Sequence, residues 1–315
     1  MGEAGYKAYN YQCDLKMLRL NNAIIEDTYA ELFNMWVGRV IITAENEKWC
    51  GIAAEVATGY ASSIIGSPAE AGIEGDISPD ETPDGRVGKI IQIYHHSRSE
   101  LKKQMIGRIG QCIMTCPTTA AFDGLPKASR RLKVGRSLRL FGDGFQERDE
   151  LSGRKIWRIP VMEGEFIVED SFGAVKGVAG GNFLIFSRTL RGGLEAAEKA
   201  VEAIRRDVKY VILPFPGGVC RSGSKVGSIN YKLPASTNHP FCPSLRGKIP
   251  ESRVPDDVNC IYEIVINGLD LESVKEAMRR GIRAAVEIPD VVRISAGNYG
   301  GKIGPMKIFL HEILK

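Results

Sequence analysis

Glu263 is the first residue that invites chemistry. It interrupts Cys260-Ile261-Tyr262-Glu263-Ile264-Val265-Ile266, a run otherwise suited to a buried strand. An ionised carboxylate is rarely buried without a partner. Either the position faces solvent, or the carboxyl is held for function, its pKa raised by desolvation until it can trade protons near neutrality. From the strand pattern alone the position reads as solvent-facing. Glu165 and Glu169 in GEFIVED pose the same question more weakly.

The stretch PFPGGVCRSGSKVGS is the second candidate. Glycines at 217, 218, 223 and 227 let backbone N–H groups approach a ligand, and Ser222, Ser224 and Lys225 add hydroxyls and a cation. The structural alternative is a surface loop with tight turns. Gly218 to Lys225 has a loose likeness to a phosphate loop, but Ser and Lys stand in the wrong order and no helical pattern follows. Ser222-Gly223-Ser224-Lys225 also matches S-x-x-K, without the S-D-N and K-T-G partners that motif needs.

Other reactive types are scattered. The four histidines (95, 96, 239 and 311) belong to no G-x-S-x-G or H-E-x-x-H pattern. Of seven cysteines, only Cys112 and Cys116 are close, and Cys112 falls on the apolar face of a predicted helix, so no metal site is expected. The basic run Lys127, Arg130, Arg131, Lys133, Arg136, Arg139 would suit carboxylate or phosphate tails, and equally a solvated face.

Composition narrows the classes. Lys and Arg exceed Asp and Glu by 42 to 38 in 315 residues, too small a margin to argue for nucleic acid. No run approaches the ~20 apolar residues of a membrane helix, and the start has no apolar leader core. Met1-Gly2 fails the myristoylation pattern because position 6 is Tyr. A soluble cytoplasmic protein without a disulfide framework is expected. Glycine, at 35 residues, is above its usual share, which points to many turns or close backbone approaches.

Four strand–helix–strand patterns must position these residues. The first runs 39–44, 45–58 and 61–65, with Trp49, Ile52, Ala53 and Val56 at helical spacing and Gly59 as the stop. The second runs 89–96, 98–114 and 118–122. Ser97 to Glu100 reads as a capping box, and Leu101, Met105, Ile109, Cys112 and Ile113 form its stripe. The third runs 181–187, 191–206 and 208–213, with Leu194, Ala197, Val201 and Ile204 facing inward. The fourth runs 260–266, 271–287 and 291–296. Asp270 is its cap, and Val274, Ala277, Met278, Ile282 and Ala285 make its stripe.

Two such units per half predict an α+β fold of two ferredoxin-like (split βαβ) lobes from an internal duplication. The lobes are expected at 1–160, including an extension over 1–20, and at 161–315. A β-rich segment over about 131–180 should lie between the helical patterns.

The chain resembles the formylmethanofuran–tetrahydromethanopterin N-formyltransferase family of methanogenic and related archaea, with counterparts in some methylotrophic bacteria. The resemblance rests on EDTYAE (26–31), SPAEAGIE (67–74), DETPDGR (80–86), RIGQC (108–112), FGDGF (141–145) and VMEGEFIVE (161–169). It continues in AGGNF (179–183), PFPGG (214–218), SGSKVGS (222–228), ASTN (235–238), YEIVINGLD (262–270) and SAGNYGGK (295–302). Gly66-Ser67 departs from the cysteine-containing form expected before Pro68, so no cysteine is given a role there.

The resemblance implies an acyltransferase of archaeal-type one-carbon metabolism and methanogenesis. It would carry a formyl group from formylmethanofuran to N5 of tetrahydromethanopterin, reversibly, with both coenzymes as co-substrates and no prosthetic group. It implies two ferredoxin-like lobes and a homo-oligomer, dimer or tetramer. It places a catalytic glutamate at Glu263, reversing the solvent-facing reading. Gly217, Gly218, Ser222, Ser224, Lys225, Asn298, Tyr299 and Gly300 become candidate substrate-binding residues, and the amides near Gly217-Gly218 and Gly300-Gly301 candidate oxyanion donors. The alternatives are a catalytically altered paralogue that binds a pterin or joins an enzyme complex, and a small-molecule sensor of the same fold.

Overall fold

The computed structural model describes residues 18–223, 225–226, 229–236, 238–302 and 304–315. Ser224, one of the candidate residues, Gly227 and positions 1–17 of the N-terminal extension lie outside them.

The first half opens with two short strands, β1 (Leu18–Leu20) and β2 (Ala23–Ile25), before the long β3 (Tyr29–Thr43). Then follow α1 (Glu47–Thr58), β4 (Glu70–Ile77), β5 (Gly88–His95), α2 (Arg98–Arg108) and β6 (Ala120–Asp123). Local chemistry sets the helix starts: Asn46 Oδ1 accepts from Trp49 N, and Ser97 Oγ accepts from Glu100 N as the capping box predicts. α2 runs on through a π-helical turn over Ile109–Ile113. The four principal strands pair antiparallel in the order β6-β3-β5-β4.

The β-rich segment is present as β7 (Arg130–Leu132), α3 (Val134–Leu138), β8 (Glu147–Leu151), β9 (Arg154–Val161) and β10 (Gly164–Glu169). β10 joins β6 in parallel and carries the β9–β8 hairpin outward. Its basic residues are largely engaged locally. Arg131 meets the buried Asp123 at 2.6 Å, Arg136 lies 3.4 Å from Asp170, and Arg139 covers the Trp157 ring.

The second half repeats the plan: β11 (Phe172–Ser187), α4 (Leu190–Asp207), β12 (Val211–Ile212), β13 (Cys260–Gly268), α5 (Leu271–Ala285) and β14 (Val291–Ser295). The strand order is β14-β11-β13-β12, again antiparallel. β15 (Met306–Phe309) and α6 (Leu310–Leu314) close the chain. Asp270 caps α5 through Ser273 N, as predicted, and every residue of the predicted α5 stripe is buried.

The two halves share one fifteen-stranded sheet. β3 and β11 pair antiparallel from Val37–Val175 to Phe33–Ala179. β2 lies parallel to β14, and β15 pairs with β3. The sheet is therefore mixed rather than wholly antiparallel. Under the second half, Ala197, Val201, Ile204, Val274 and Met278 pack on Phe183, Ile264 and Ile266. Under the first, Ala53, Leu101 and Met105 pack on Val40, Ile42, Ile91 and Ile93. Each large side chain fully buried in this way is worth about 1.5–3 kcal/mol.

Three expectations change. Residues 61–65 turn instead of extending, because Ser63 O accepts from Ser67 N and Ser67 Oγ, and Glu70 takes Ile64 N. Local side-chain bonds of this kind compete with a strand ladder, and the strand forms later, as β4. In α1 the buried face is Cys50, Ala53, Ala54 and Ala57, so Ile52 and Val56 stay exposed; small residues let the helix sit closer to the sheet than the predicted stripe would. In α4, Gly193 fits against Ser187 and Cys260, and Leu194 is left exposed one position round the helix.

Candidate active site

β13 lies between β11 and β12, with Glu263 opposite Leu184. Side chains alternate along the strand. Ile264 and Ile266 turn to α4 and α5, and Glu263 turns to the other face, as the alternation predicts. That face is only partly open to water. The irregular segment after β12 first continues the sheet edge, pairing Cys220 with Glu263 through backbone N–H···O bonds of 2.7 and 3.1 Å. Phe241, Val254 and Val258 then cover Leu184 and Phe186. The solvent-facing reading of Glu263 holds in part: the face is right and the residue stays partly exposed, but a segment without periodicity covers one side of its carboxyl.

Three polar groups converge beneath this roof. Asn238 Nδ2 donates to Glu263 Oε2 at 3.1 Å and to Ser222 Oγ at 3.0 Å, and Ser222 Oγ donates to the same Oε2 at 3.4 Å. Cys220 Sγ lies 3.7 Å from Ser222 Oγ. Part of Glu263 still reaches the surface, its carboxyl is covered on the Oε2 side, and burial pushes its pKa above the ordinary carboxylate range. Bonds from Cys220, Ser222 and Asn238 offset this only in part. Burial, together with the neighbouring Glu263 charge, pushes the Cys220 thiol up to about 12. A cavity of about 30 Å³ beside the carboxyl, walled by Phe241, Cys242 and Tyr262, has room for a water molecule.

The opposite side of Glu263 is built by the 297–304 loop. A Cβ placed on Gly297 would stand 3.7 Å from Glu263 Oε1 and 3.2 Å from Asn182 Oδ1. Asn182 fixes this backbone by accepting from Gly297 N at 2.6 Å and donating to Gly297 O at 3.1 Å. Glu31, from β3, accepts from the amides of Tyr299, Gly301 and Gly304. The Tyr299 phenol is pushed up by burial and by the charges of Glu263 and Glu31.

The candidates thus separate. Glu263, Ser222 and Tyr299 form one neighbourhood. Asn298 builds the loop, bonding Thr28 Oγ1 and Tyr29 O and accepting from Gly300 N. Gly217 lies elsewhere, lining a cleft of about 770 Å³ between Tyr60–Ser62, Gly72–Asp76 and Pro214–Gly217. Gly218 has φ +90° and presses on Val201 and Leu213. The amides of Gly218, Gly300 and Gly301 already bond Phe215 O, Asn298 and Glu31. Lys225 is partly exposed, and no side-chain bond joins it to Glu263 among the described residues. Elsewhere, Glu165 pairs with Arg158, and Glu169 bonds Arg154 and Asp123 N. Among the described residues no three His, Cys, Asp or Glu side chains are grouped to hold a metal ion, and no helix is long and apolar enough to cross a membrane.

Sequence reasoning assigned no part to Asn238, Asn182 or Glu31, although ASTN, AGGNF and EDTYAE contain them. Each is a polar residue beside small or turn-forming neighbours. Only the fold shows that they point at one carboxyl or its supporting loop.

The chain is similar to known proteins over nearly its whole length. The model of the formylmethanofuran-tetrahydromethanopterin formyltransferase family matches residues 18–161, and the model of its proximal lobe matches 164–313. The chain is 55% identical over 302 residues to the formylmethanofuran–tetrahydromethanopterin formyltransferase of Methanocaldococcus jannaschii, covering 95% of this chain and 100% of that one. It is 54% identical over 300 residues to that of Methanopyrus kandleri, covering 94% and 100%. The solved formyltransferase of Methanosarcina barkeri is 50% identical with a TM-score of 0.89, over 94% of this chain and 100% of that one. A chain of the formyltransferase/hydrolase complex of Methylorubrum extorquens, solved with methylofuran, gives 0.89 at 45% identity, over 95% and 99%.

Proposed function

The chain belongs to the formylmethanofuran–tetrahydromethanopterin formyltransferase family, and from that premise we propose that Glu263 is the acid–base group of its formyl transfer. The protein is a formyltransferase whose substrates are formylmethanofuran and tetrahydromethanopterin. The formyl group passes from the amine of the first to N5 of the second. Its relatives match almost end to end, which favours this enzyme over a non-catalytic pterin-binding subunit.

A formamide carbonyl is a weak electrophile. Attack by N5 forms a new N–C bond and puts negative charge on the carbonyl oxygen, and the departing amine then needs a proton. Neutral Glu263 gives that proton, and its carboxylate takes the one released by N5, so the enzyme ends as it began. A carboxyl whose pKa burial raises suits this cycle, because it lies nearer the working pH than an exposed carboxyl does. The observation that carries the proposal is the Glu263 carboxyl held by Asn238 and Ser222 beside the Gly297 backbone, where burial raises its pKa. Ser222 bonds it, Tyr299 stands on the loop that carries Gly297, and both would meet the substrates there. The cleft at Gly217 would hold a more distant part of one coenzyme.

Glu263→Gln tests the proposal. Turnover should fall about 100-fold or more, the scale of general acid–base catalysis, with the circular dichroism spectrum unchanged. Near-normal turnover removes Glu263 from the chemistry.

We also read the halves as ferredoxin-like lobes from an internal duplication, 1–160 and 161–315. The repeated order, with the fourth strand beside the first, then the third and the second, supports this. A cytoplasmic homo-oligomer, dimer or tetramer, completes the reading. Light scattering should give a multiple of the protomer mass.

A further inference from the structure

We propose that Asn238 is a positioning residue which, with Ser222, reserves Oε2 of Glu263 as an acceptor and so places the acid's proton on Oε1, the oxygen facing Gly297. The inference rests on Glu263 being the acid–base group.

Donors and acceptors can be counted at this carboxyl. The Asn238 amide has two N–H bonds, and the structure directs one to Glu263 Oε2 at 3.1 Å and one to Ser222 Oγ at 3.0 Å. Ser222 Oγ, having accepted, turns its single hydrogen to Oε2 at 3.4 Å. Oε2 therefore receives donors from Asn238 and Ser222, and the Cys220 thiol bonds the same carboxyl. A neutral carboxyl has one hydroxyl oxygen and one carbonyl oxygen, and only the carbonyl oxygen accepts without offering a hydrogen in return. A proton on Oε2 would make that oxygen a poorer acceptor for Asn238 and turn the Ser222 hydrogen away towards Cys220, so the arrangement favours the hydroxyl on Oε1.

Oε1 is also the oxygen on the Gly297 side. Gly297 has no side chain to cover it, and Asn182 pins the Gly297 backbone in place. The Oε2 side is closed by Asn238, Ser222, Phe241 and Cys242. The acid thus delivers its proton by breaking Oε1–H as the amine N–H forms. It then regains the N5 proton on the same oxygen, without rotating.

The titratable neighbours do not compete for this proton near neutrality. Cys220, which bonds the same carboxyl, and Tyr299, on the loop opposite, are both pushed upward. So are Tyr262 and Cys242 in the cavity wall. Glu31 acts on Tyr299 from beyond the loop. The lining of the cavity contains no cation among the described residues.

The test is the pH profile of formyl transfer by the full-length protein with both coenzymes. Donors to Oε2 stabilise the carboxylate, so Asn238→Ala should raise the Glu263 pKa. The alkaline limb of kcat/KM should move up by about one to two pH units, the worth of a hydrogen bond to a charged group. kcat should fall while KM for each coenzyme changes little. Ser222→Ala, which removes one donor, should move the limb the same way by less. If Asn238→Ala folds poorly, Ser222→Ala and an isotope-edited infrared titration of the Glu263 carboxyl read the same shift without turnover. An unmoved limb and carboxyl band in variants whose parent loses activity on Glu263→Gln overturn the role of Asn238 and leave Glu263 as the acid. An active Glu263→Gln enzyme removes both.

Discussion

Glu70 and Asn267 meet across the two halves of the chain, Asn267 Nδ2 donating to Glu70 Oε2 at 2.6 Å with both side chains buried. The second Glu70 oxygen accepts from Ile64 N at 3.0 Å, and Asn267 Oδ1 accepts from Gly180 N at 3.1 Å. Asn267 stands four residues from Glu263 on β13, on the same face of the strand. The bond therefore ties β4 of one half to the strand that carries the candidate acid in the other.

Asn267→Leu takes one bond from the Glu70 carboxyl, which keeps Ile64 N, and leaves the Gly180 amide without its acceptor. At about 1–3 kcal/mol for each buried group that loses its partner, unfolding should become easier by about 2–6 kcal/mol. A urea titration followed by fluorescence reads this as a lower midpoint.

Buried carboxyls set the pH dependence of stability. Burial raises Glu70, Glu169 and Glu263 above their usual range. The folded state then holds these protons more tightly than the unfolded state. Their contribution is fully present below the unfolded carboxylate pKa of about 4.3 and is lost as pH rises through the folded values. Glu263→Gln removes one such group. Its melting temperature should exceed that of the parent at pH 8 and converge with it near pH 4.

Gly297→Ala should leave the fold intact and slow the reaction. The new methyl would meet Asn182 Oδ1 at 3.2 Å and stand 3.7 Å from Glu263 Oε1, on the open side of the acid. Displacements of about 1 Å near a reacting group can cost ~100-fold, so kcat should drop at least about 10-fold. Steady-state kinetics beside a thermal melt separate this from unfolding.

The thiols should label in order of access. Cys112, Cys116 and Cys242 are partly exposed, whereas Cys50, Cys220 and Cys260 are buried. Burial pushes Cys50 up to about 11, and Cys220 to about 12. Iodoacetamide at pH 8, followed by peptide mass spectrometry, should modify the first three well before the others, since the thiolate is the nucleophile.

Much of the frame was legible in the sequence because amphipathic periodicity reports which side of an element is packed. The α5 stripe, the caps at Asp270 and Ser97, and the order of elements all follow from spacing. Ile52 and Val56 misled because hydrophobicity marks what can be buried, while Ala53 and Ala57 allow the closer approach to the sheet. The face of Glu263 was also legible, but its cover was not. Residues 220–258 have no repeating pattern, so nothing local announces that Phe241 and Asn238 fold back over β13. Long-range partners such as Glu31 for the 297–304 loop leave no trace in spacing at all.

The exchange of chain ends governs how the molecule can move. β2, from the start of the described chain, borders β14 of the second half, while β15, near the end, borders β3 of the first. Between them β3 and β11 run side by side for five residue pairs. Such cross-stitching rules out a clamshell: swinging the halves apart would tear main-chain ladders in three places. Whatever movement admits the coenzymes is left to surface loops on a stiff chassis, and neither half cut free would keep all its borders.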